Sequence, residues 1–255
     1  MTSEFVHLHN HSDYSLLDGA QKIDQLVNTI DDLNMDAVAL TEHGNMFSVL
    51  PYYKQAKKAG IKPIIGCEIY VAVGSRFEKK TRSDVGWGNN HLILLAQNFT
   101  GYKNLMKLVT AGYLEGFYYR PRIDMDLLRE YSEGLICMSA CLKGVVPEKM
   151  LKGDYQGARK EALLFSEIFQ DRYYLEIQNH GIPEEEQNLK NMKKLSQDLN
   201  LPLVCTNDAH YAKKEHWEAH DIHICLGTGK ERSDPNRLRY ATPEFYFKTQ
   251  DEMHK

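Results

Sequence analysis

Seven short apolar runs, at residues 4–9, 37–41, 63–71, 91–96, 134–139, 173–178 and 202–206, recur between longer segments of helical period. Runs rich in Val, Ile, Leu and Tyr that alternate with helices are the pattern of a parallel sheet or a (β/α) barrel. In the first intervening helix, Ile23, Leu26, Val27, Ile30 and Leu33 keep one apolar stripe. The segment 48–59 closes on Gly60, a normal helix stop, and carries Pro51 in its first turn, where the missing N–H costs little. Further helices are expected at 102–113, 155–169, 184–200 and 215–226. With 255 residues, 42% of them hydrophobic, the chain can bury a sizeable core.

The ends of these runs carry the chemistry. In Phe5-Val6-His7-Leu8-His9, strand alternation puts His7 and His9 on one face and Val6 and Leu8 on the other. The second run leads into Glu42-His43, the third ends near Cys67-Glu68, and the fifth ends in Ser139-Ala140-Cys141. The seventh is followed by Asn207-Asp208-Ala209-His210, which repeats the His7/His9 spacing. In a barrel, the loops after the strands converge on one rim, so these groups would meet there. His91 is the exception: it begins its run, and must reach the rim from the preceding loop unless the boundary lies elsewhere. A single buried histidine is most often a satisfied core residue. Six or more ligand-type side chains at one rim would leave unsatisfied buried charge unless cations join them. Nitrogen-rich ligation with several carboxylates favours Zn, Mn or Fe over Mg or Ca.

Composition bounds the remaining possibilities. The net charge of −4 excludes a domain that grips nucleic acid by bulk charge, so an anionic ligand must be held locally. No run approaches the ~18 apolar residues of a membrane helix, and the start, Met1-Thr2-Ser3-Glu4, is unlike a secretory signal. The five cysteines, Cys67, Cys137, Cys141, Cys205 and Cys225, are odd in number and scattered, which argues against a disulfide framework. A soluble protein of the reducing cytoplasm, with no membrane partner, is therefore expected.

Three loops are basic and dotted with aromatics: 74–90 with Arg76, Lys79, Lys80, Arg82 and Trp87; 115–123, reading EGFYYRPRI, with Arg120 and Arg122; and 227–240 with Lys230, Arg232, Arg237 and Arg239. Such loops could touch phosphates and bases; the plainer reading is solvated loops. His216, His220 and His223 share a helix face but lack the His-Glu order of a zinc-protease helix, and are expected to form an ordinary polar face. Asp124-Met125-Asp126 has the spacing of a carboxylate pair but is expected to begin a short helix.

The runs HLHNHSDYSLLDGA, LTEHGN, AGIKPIIGCEIYVA, GYKNLMKLVTAGYLEGFYYRPRID, LICMSACLKG, YYLEIQNHGIPEEE and LVCTNDAHY, in this order, resemble the polymerase and histidinol phosphatase (PHP) domain. More narrowly, EGFYYRPRID and IQNHGIPEE resemble the version at the N-terminus of bacterial replicative (C-family) DNA polymerase III alpha subunits. The resemblance spans residues 5–247. It implies a distorted seven-stranded (β/α)7 TIM-like barrel with a metal site at the C-terminal rim of the strands, holding up to three divalent ions. The implied ligands are His7, His9, Asp18, His43, Glu68, His91, Cys141, Asp208 and His210. In the implied grouping His7, His9, Glu68 and Asp208 hold one ion. Glu68 bridges to a second held with His91 and Cys141, and Asp18, His43 and His210 hold the third. His180 would sit behind the ligands or touch phosphate, unless it only shapes a turn.

The activity implied is that of a 3′→5′ proofreading exonuclease, with hydroxide on the metals as nucleophile and a single-stranded or mismatched DNA 3′ end as substrate. The implied partners are the polymerase core of the same chain and other replisome subunits. The chain carries no nucleotidyl-transfer site of its own, so residues 1–240 are expected to be the PHP domain and 241–255 to lead towards an absent core. Two other readings stay open: a phosphomonoesterase of the histidinol-phosphatase type, and a catalytically silent interaction module.

Overall fold

The structure, a computed structural model, describes residues 5–79 and 89–255. In chain order the elements are α1 (Ile23–Asp32), β1 (Ala37–Leu40), α2 (Val49–Lys58), β2 (Lys62–Ala72), β3 (Asn89–Ala96), α3 (Phe99–Leu114) and β4 (Arg122–Ile123). They continue with α4 (Met125–Glu130), β5 (Leu135–Met138), α5 (Val145–Leu151), α6 (Tyr155–Phe169), β6 (Tyr173–Ile177), α7 (Pro183–Leu199), β7 (Leu203–Cys205), α8 (Trp217–Thr228) and α9 (Gln250–Met253). The strands form one strongly curled seven-stranded sheet in the order β1-β2-β3-β5-β6-β7, with the short β4 beside β2. The expected α/β barrel architecture is present, with β4 lying in a stretch expected as a loop and with two further changes.

The first change is one of direction. β3 runs antiparallel to both β2 and β5, whereas the other pairings are parallel. Its first residues therefore lie at the rim where its neighbours end, which puts His91 at the site, and the strand itself begins at Asn89 rather than at His91. The second concerns residues 5–9, which form no regular strand among the described residues. They run beside β1, where Ala39 N–H donates to the His7 carbonyl at 2.8 Å and Thr41 N–H to the Asn10 carbonyl at 2.9 Å. On the other side His11 N–H donates to the Ala209 carbonyl at 2.9 Å. This segment thus stitches the β1 edge to the chain beyond β7 and draws the two edges of the sheet together.

Side-chain alternation divides the sheet into two faces. Cys67, Ile69, Val71, Leu92, Leu94, Cys137 and Leu175 pack outward against Leu105, Leu108, Phe165 and Phe169 of the covering helices. A second outer cluster joins Val38 and Leu40 to Leu26 and Ile30 of α1 and Tyr52 of α2. The inner face carries a smaller apolar plug of Ala39, Ile93, Leu95 and Met138, with Leu8, Tyr174 and Val204 against it. Above that plug the inner positions turn polar, beginning with Glu68 and Glu176, both buried. Beyond Tyr240, Phe245 and Phe247 are buried against the rest of the fold. No helix among the described residues is long and apolar enough to cross a membrane.

Candidate metal centre

Strict alternation along residues 5–8 points Leu8 into the barrel and His7 outward. The His7 ring lies edge-on between Phe5 and Phe247, each 5.0 Å away, and its Nε2 meets the Lys248 carbonyl at 2.9 Å. The chain then bends at His9, and the bend re-aims both His9 and His11 into the polar end of the barrel. The expectation that His7 and His9 share a face is thus corrected: the converging pair is His9 and His11. His9 Nε2 stands 3.2 Å from Glu68 Oε2 and 3.1 Å from Asp208 Oδ1. His11 Nε2 stands 3.1 and 3.2 Å from the same two oxygens.

These four residues form one group of ligand atoms. A second comprises Glu68, His91 and Cys141, and a third His11, His43 and His210. Within each, the atoms lie within 4.8 Å of one another, close to the ~4.6 Å maximum for two atoms bound ~2.0–2.3 Å from one ion. In the second group Glu68 Oε1 touches His91 Nδ1, and Cys141 Sγ lies 3.7 Å from that nitrogen. In the third the His11 ring stacks on His43 and His210 at 3.9 and 4.5 Å. Asp18 borders it, with Oδ1 3.3 Å from His43 Nε2 and Oδ2 4.0 Å from His210 Nε2. Eight of the nine expected ligands are therefore gathered, His7 is not, and His11 stands in its place.

The local backbone is bent to achieve this. Ala140 and Asp208 adopt φ of 62° and 44° immediately before and at ligand positions, a left-handed conformation that costs a non-glycine residue about 1 kcal/mol or more. Gly44, following His43, has φ of 65°, and a Cβ there would fall 2.7 Å from Pro121 Cγ.

The donor set fits cations. His11 Nε2, both nitrogens of His43, Glu68 Oε1, Asp208 Oδ1 and Asp18 Oδ1 are buried with no hydrogen-bond partner, although each faces a ligand-type nitrogen or oxygen of a neighbour. Burial opposes every charge here, yet the carboxyls of Glu68, Asp18 and Asp208 are held below the usual range by the surrounding imidazoles. Burial likewise opposes charge on His9 and His43, but Asp208 and Glu176 around His9, and Asp18 and Glu68 around His43, raise both well above an ordinary histidine. Burial pushes the Cys141 thiol up, helped by Glu68 and Asp208, and pushes His210 down to about 3. A divalent ion would replace the shared protons and reverse the effect on the thiol.

Neighbouring residues position the ligands. Glu42 accepts from the backbone N–H of Ser12 and the hydroxyls of Ser12 and Ser15, which pins the loop after His11. His210 Nδ1–H donates to the Asp208 carbonyl at 2.7 Å, which leaves Nε2 free to accept from Tyr240 at 2.9 Å. His220 is buried rather than part of a polar face, and its Nε2 bonds the Asp18 carbonyl at 2.7 Å. His180 is also fully buried: Nδ1 faces Glu185 at 2.6 Å, Nε2 faces the Asn207 carbonyl at 2.9 Å, and the ring stacks on Phe245. Neither nitrogen is left for a phosphate.

The basic loops divide in a similar way. Arg122 is buried and donates to the carbonyls of Gly116, Arg76 and Glu78, while Arg76 pairs with Glu115 and Asp124. In the last loop Arg232 and Arg237 pair with Asp221, and Lys230 with Asp234. These are structural contacts. Arg120 and Lys79 are exposed, Arg120 lying over the Tyr70 ring; Lys80, Arg82 and Trp87 fall outside the described residues. Asp124 caps α4 by accepting from Leu127 N–H, as its sequence context suggests.

The family model for the PHP domain matches residues 7–180. DNA polymerase III alpha subunits of Borreliella burgdorferi, Treponema pallidum and Thermus aquaticus are 52%, 49% and 42% identical to this chain over 98% of its length. The chain spans about a fifth of those relatives, 22%, 21% and 21% respectively. Among solved structures, an amidohydrolase from Chromobacterium violaceum aligns with 86% of this chain and 96% of its own at 12% identity and a TM-score of 0.46, too loose a likeness to add to the assignment. With its residues 7–180 matching the family model and its ligand-type side chains gathered at one barrel rim, the chain belongs to the PHP family.

Proposed function

We propose that this chain is the PHP domain of a DNA polymerase III alpha subunit and hydrolyses DNA phosphodiesters as a metal-dependent 3′→5′ exonuclease. One observation carries the reading: the three ligand groups are contiguous, joined through Glu68 and His11. A carboxylate can bridge two ions with its two oxygens, whereas an imidazole nitrogen serves one. His11 Nε2 faces the oxygens of Glu68 and Asp208, so His9, His11, Glu68 and Asp208 would hold one ion. Glu68, His91 and Cys141 would hold a second, and Asp18, His43 and His210 a third. The Cys141 sulfur favours zinc over harder ions, while the carboxylates and imidazoles also suit manganese or iron.

Divalent ions, when bound, supply Lewis acidity at phosphorus and acidify water near neutral pH, so no protein nucleophile is needed. The chain's own residues hold and orient. Glu68, Asp208 and Asp18 offset the cationic charge, and the inner apolar plug closes the floor of the site to water. His43 and Asp18, each 16% exposed, and His91, 13% exposed, form its open lip, where a phosphate ester would enter. Exposed Arg120 over Tyr70 lies beside that lip, since Tyr70 also packs near His43 and His91.

The similarity to polymerase chains at 40–52% identity supports a DNA end as substrate, the polymerase core of the same chain as partner and the cytoplasm as location. The test is release of nucleotides from a single-stranded or mismatched 3′ end with added Mn or Zn, beside turnover of histidinol phosphate. Activity on the DNA end that is abolished by His9→Ala and Asp208→Asn supports the reading. Preference for the monoester would assign a small-molecule phosphatase, and metal uptake without hydrolysis of either substrate would assign a silent structural module.

A further inference from the structure

Glu176 lies on β6, on the inner face shared with Tyr174, and is 1% exposed. It belongs to none of the three ligand groups. Its Oε1 nevertheless meets His9 Nδ1 at 2.7 Å, on the opposite edge of the ring from the nitrogen that faces Glu68 and Asp208. The same oxygen accepts from the Thr206 hydroxyl and from Gln178 Nε2 at 3.2 Å, and Gln178 in turn reaches Thr206 at 3.1 Å. Backbone N–H of Glu176 donates to the Ser139 hydroxyl at 2.8 Å, so the strand itself is fixed against the segment leading to Cys141. The carboxylate is held from three sides, and its second oxygen, Oε2, is buried with no partner.

A carboxylate sealed from water is costly unless hydrogen bonds answer it. Among the described residues, Thr206, Gln178 and the His9 ring are the groups that do so. An imidazole whose Nδ1–H is committed to a carboxylate presents its Nε2 lone pair in one direction and is the stronger donor for it. Here that direction leads to the oxygens of Glu68 and Asp208.

Building on the metal-centre reading above, we propose that Glu176 is a positioning residue for the metal held by His9: it fixes the Nδ1–H tautomer and aims Nε2 at the ion. It touches neither metal nor substrate and acts through His9 alone. Gln178 and Thr206 keep the carboxylate from rotating away, so that the Ser139, Glu176 and Thr206 strand ends form one support behind the ligand.

The test is calorimetric zinc titration of the full chain as wild type and Glu176→Gln, with long-range 1H–15N NMR of the His9 ring in zinc-loaded wild type. We expect Glu176→Gln to weaken zinc binding at one site by about 10–100-fold. The wild-type ring should show a protonated Nδ1 and a zinc-shifted Nε2. The NMR measurement needs no variant and so stands even if Glu176→Gln fails to fold. Unchanged zinc affinity in a folded Glu176→Gln chain, or a ring bound through Nδ1, would overturn the positioning role while leaving the metal centre intact. Absence of any zinc uptake by wild type would overturn both readings together.

Discussion

His11 Nε2 stands 3.1 Å from Glu68 Oε2 in a place closed to solvent, a separation at which nitrogen and oxygen share either a proton or a cation. His7, four residues earlier on the same segment, has no ligand-type partner among the described residues: its ring meets the Lys248 carbonyl and two aromatic rings. The two histidines therefore predict opposite results. His11→Ala should reduce the metal content by one ion per chain, beside the stability lost by emptying a buried, hydrogen-bonded position. His7→Ala should retain every ion and cost about 1–3 kcal/mol of stability through its lost hydrogen bond and packing. Elemental analysis beside thermal melts distinguishes them, and metal loss in His7→Ala alone would reverse the assignment.

Adding zinc or manganese to chelator-stripped protein should raise its melting temperature. Buried Glu68 and Asp208, half-buried Asp18 and their imidazoles are held together by shared protons in the stripped protein, and a bound ion stabilises only the folded arrangement. At free metal about 100-fold above Kd the gain is about 2.7 kcal/mol. A melt unmoved by millimolar metal or by chelator would contradict the site.

Metal binding should release protons near neutral pH. His9 and His43 are raised well above an ordinary histidine by Asp208, Glu176, Asp18 and Glu68 despite burial, so at pH 7 they carry protons that an ion must displace. Affinity should accordingly rise with pH up to the range where those imidazoles lose their protons, and fall in acid. Calorimetry in two buffers of different ionisation enthalpy reads the released protons directly; identical heats in both would count against the displacement.

Away from the site, Asp124 joins two segments by capping α4 and accepting from Arg76 N–H and Nη1 at 3.0 Å. Burial opposes its charge, but the N–H groups of Arg76 and Leu127 and the Arg76 guanidinium hold it below the usual carboxylate range. A depressed folded value means the stabilisation is fully present above the unfolded value of about 3.9 and is lost as pH falls through the folded one. Asp124→Ala should cost about 1–2 kcal/mol at pH 7, the scale of a lost helix cap. Urea denaturation should show the gap between variant and wild type closing below pH 4.

The legibility of this fold follows the length and chemistry of each segment. The runs at 63–71 and 173–178 are apolar and long enough to declare β2 and β6, whereas Arg122–Ile123 is too short to register as β4, and Val145–Leu151, broken by Pro147, gives no clear helical stripe. Periodicity has no direction, so nothing in His91–Ala96 distinguishes an antiparallel from a parallel strand. HLHNH contains two overlapping His-x-His pairs, and only the bend at His9 selects the second. That bend is set by bonds to Ala39, Thr41 and Ala209, which are remote in sequence. Glu176 is hidden in the sequence for a related reason: one carboxylate in a strand carries no signal until its distant neighbour is known. His220 was masked by its spacing with His216 and His223, which suggests a surface face although the ring turns inward to Asp18.

Closure of the sheet by residues near its start and near Asp208 sets the order of events during biosynthesis. A ribosome extruding this chain exposes His9 and His11 early, yet their carboxylate partner on the far side is among the last ligands to emerge. Bringing such remote segments together requires a long loop to close first. The cage of His9, His11, Glu68 and Asp208 therefore stays incomplete until Asp208 has been synthesised, and metal loading there follows closure of the fold rather than triggering it.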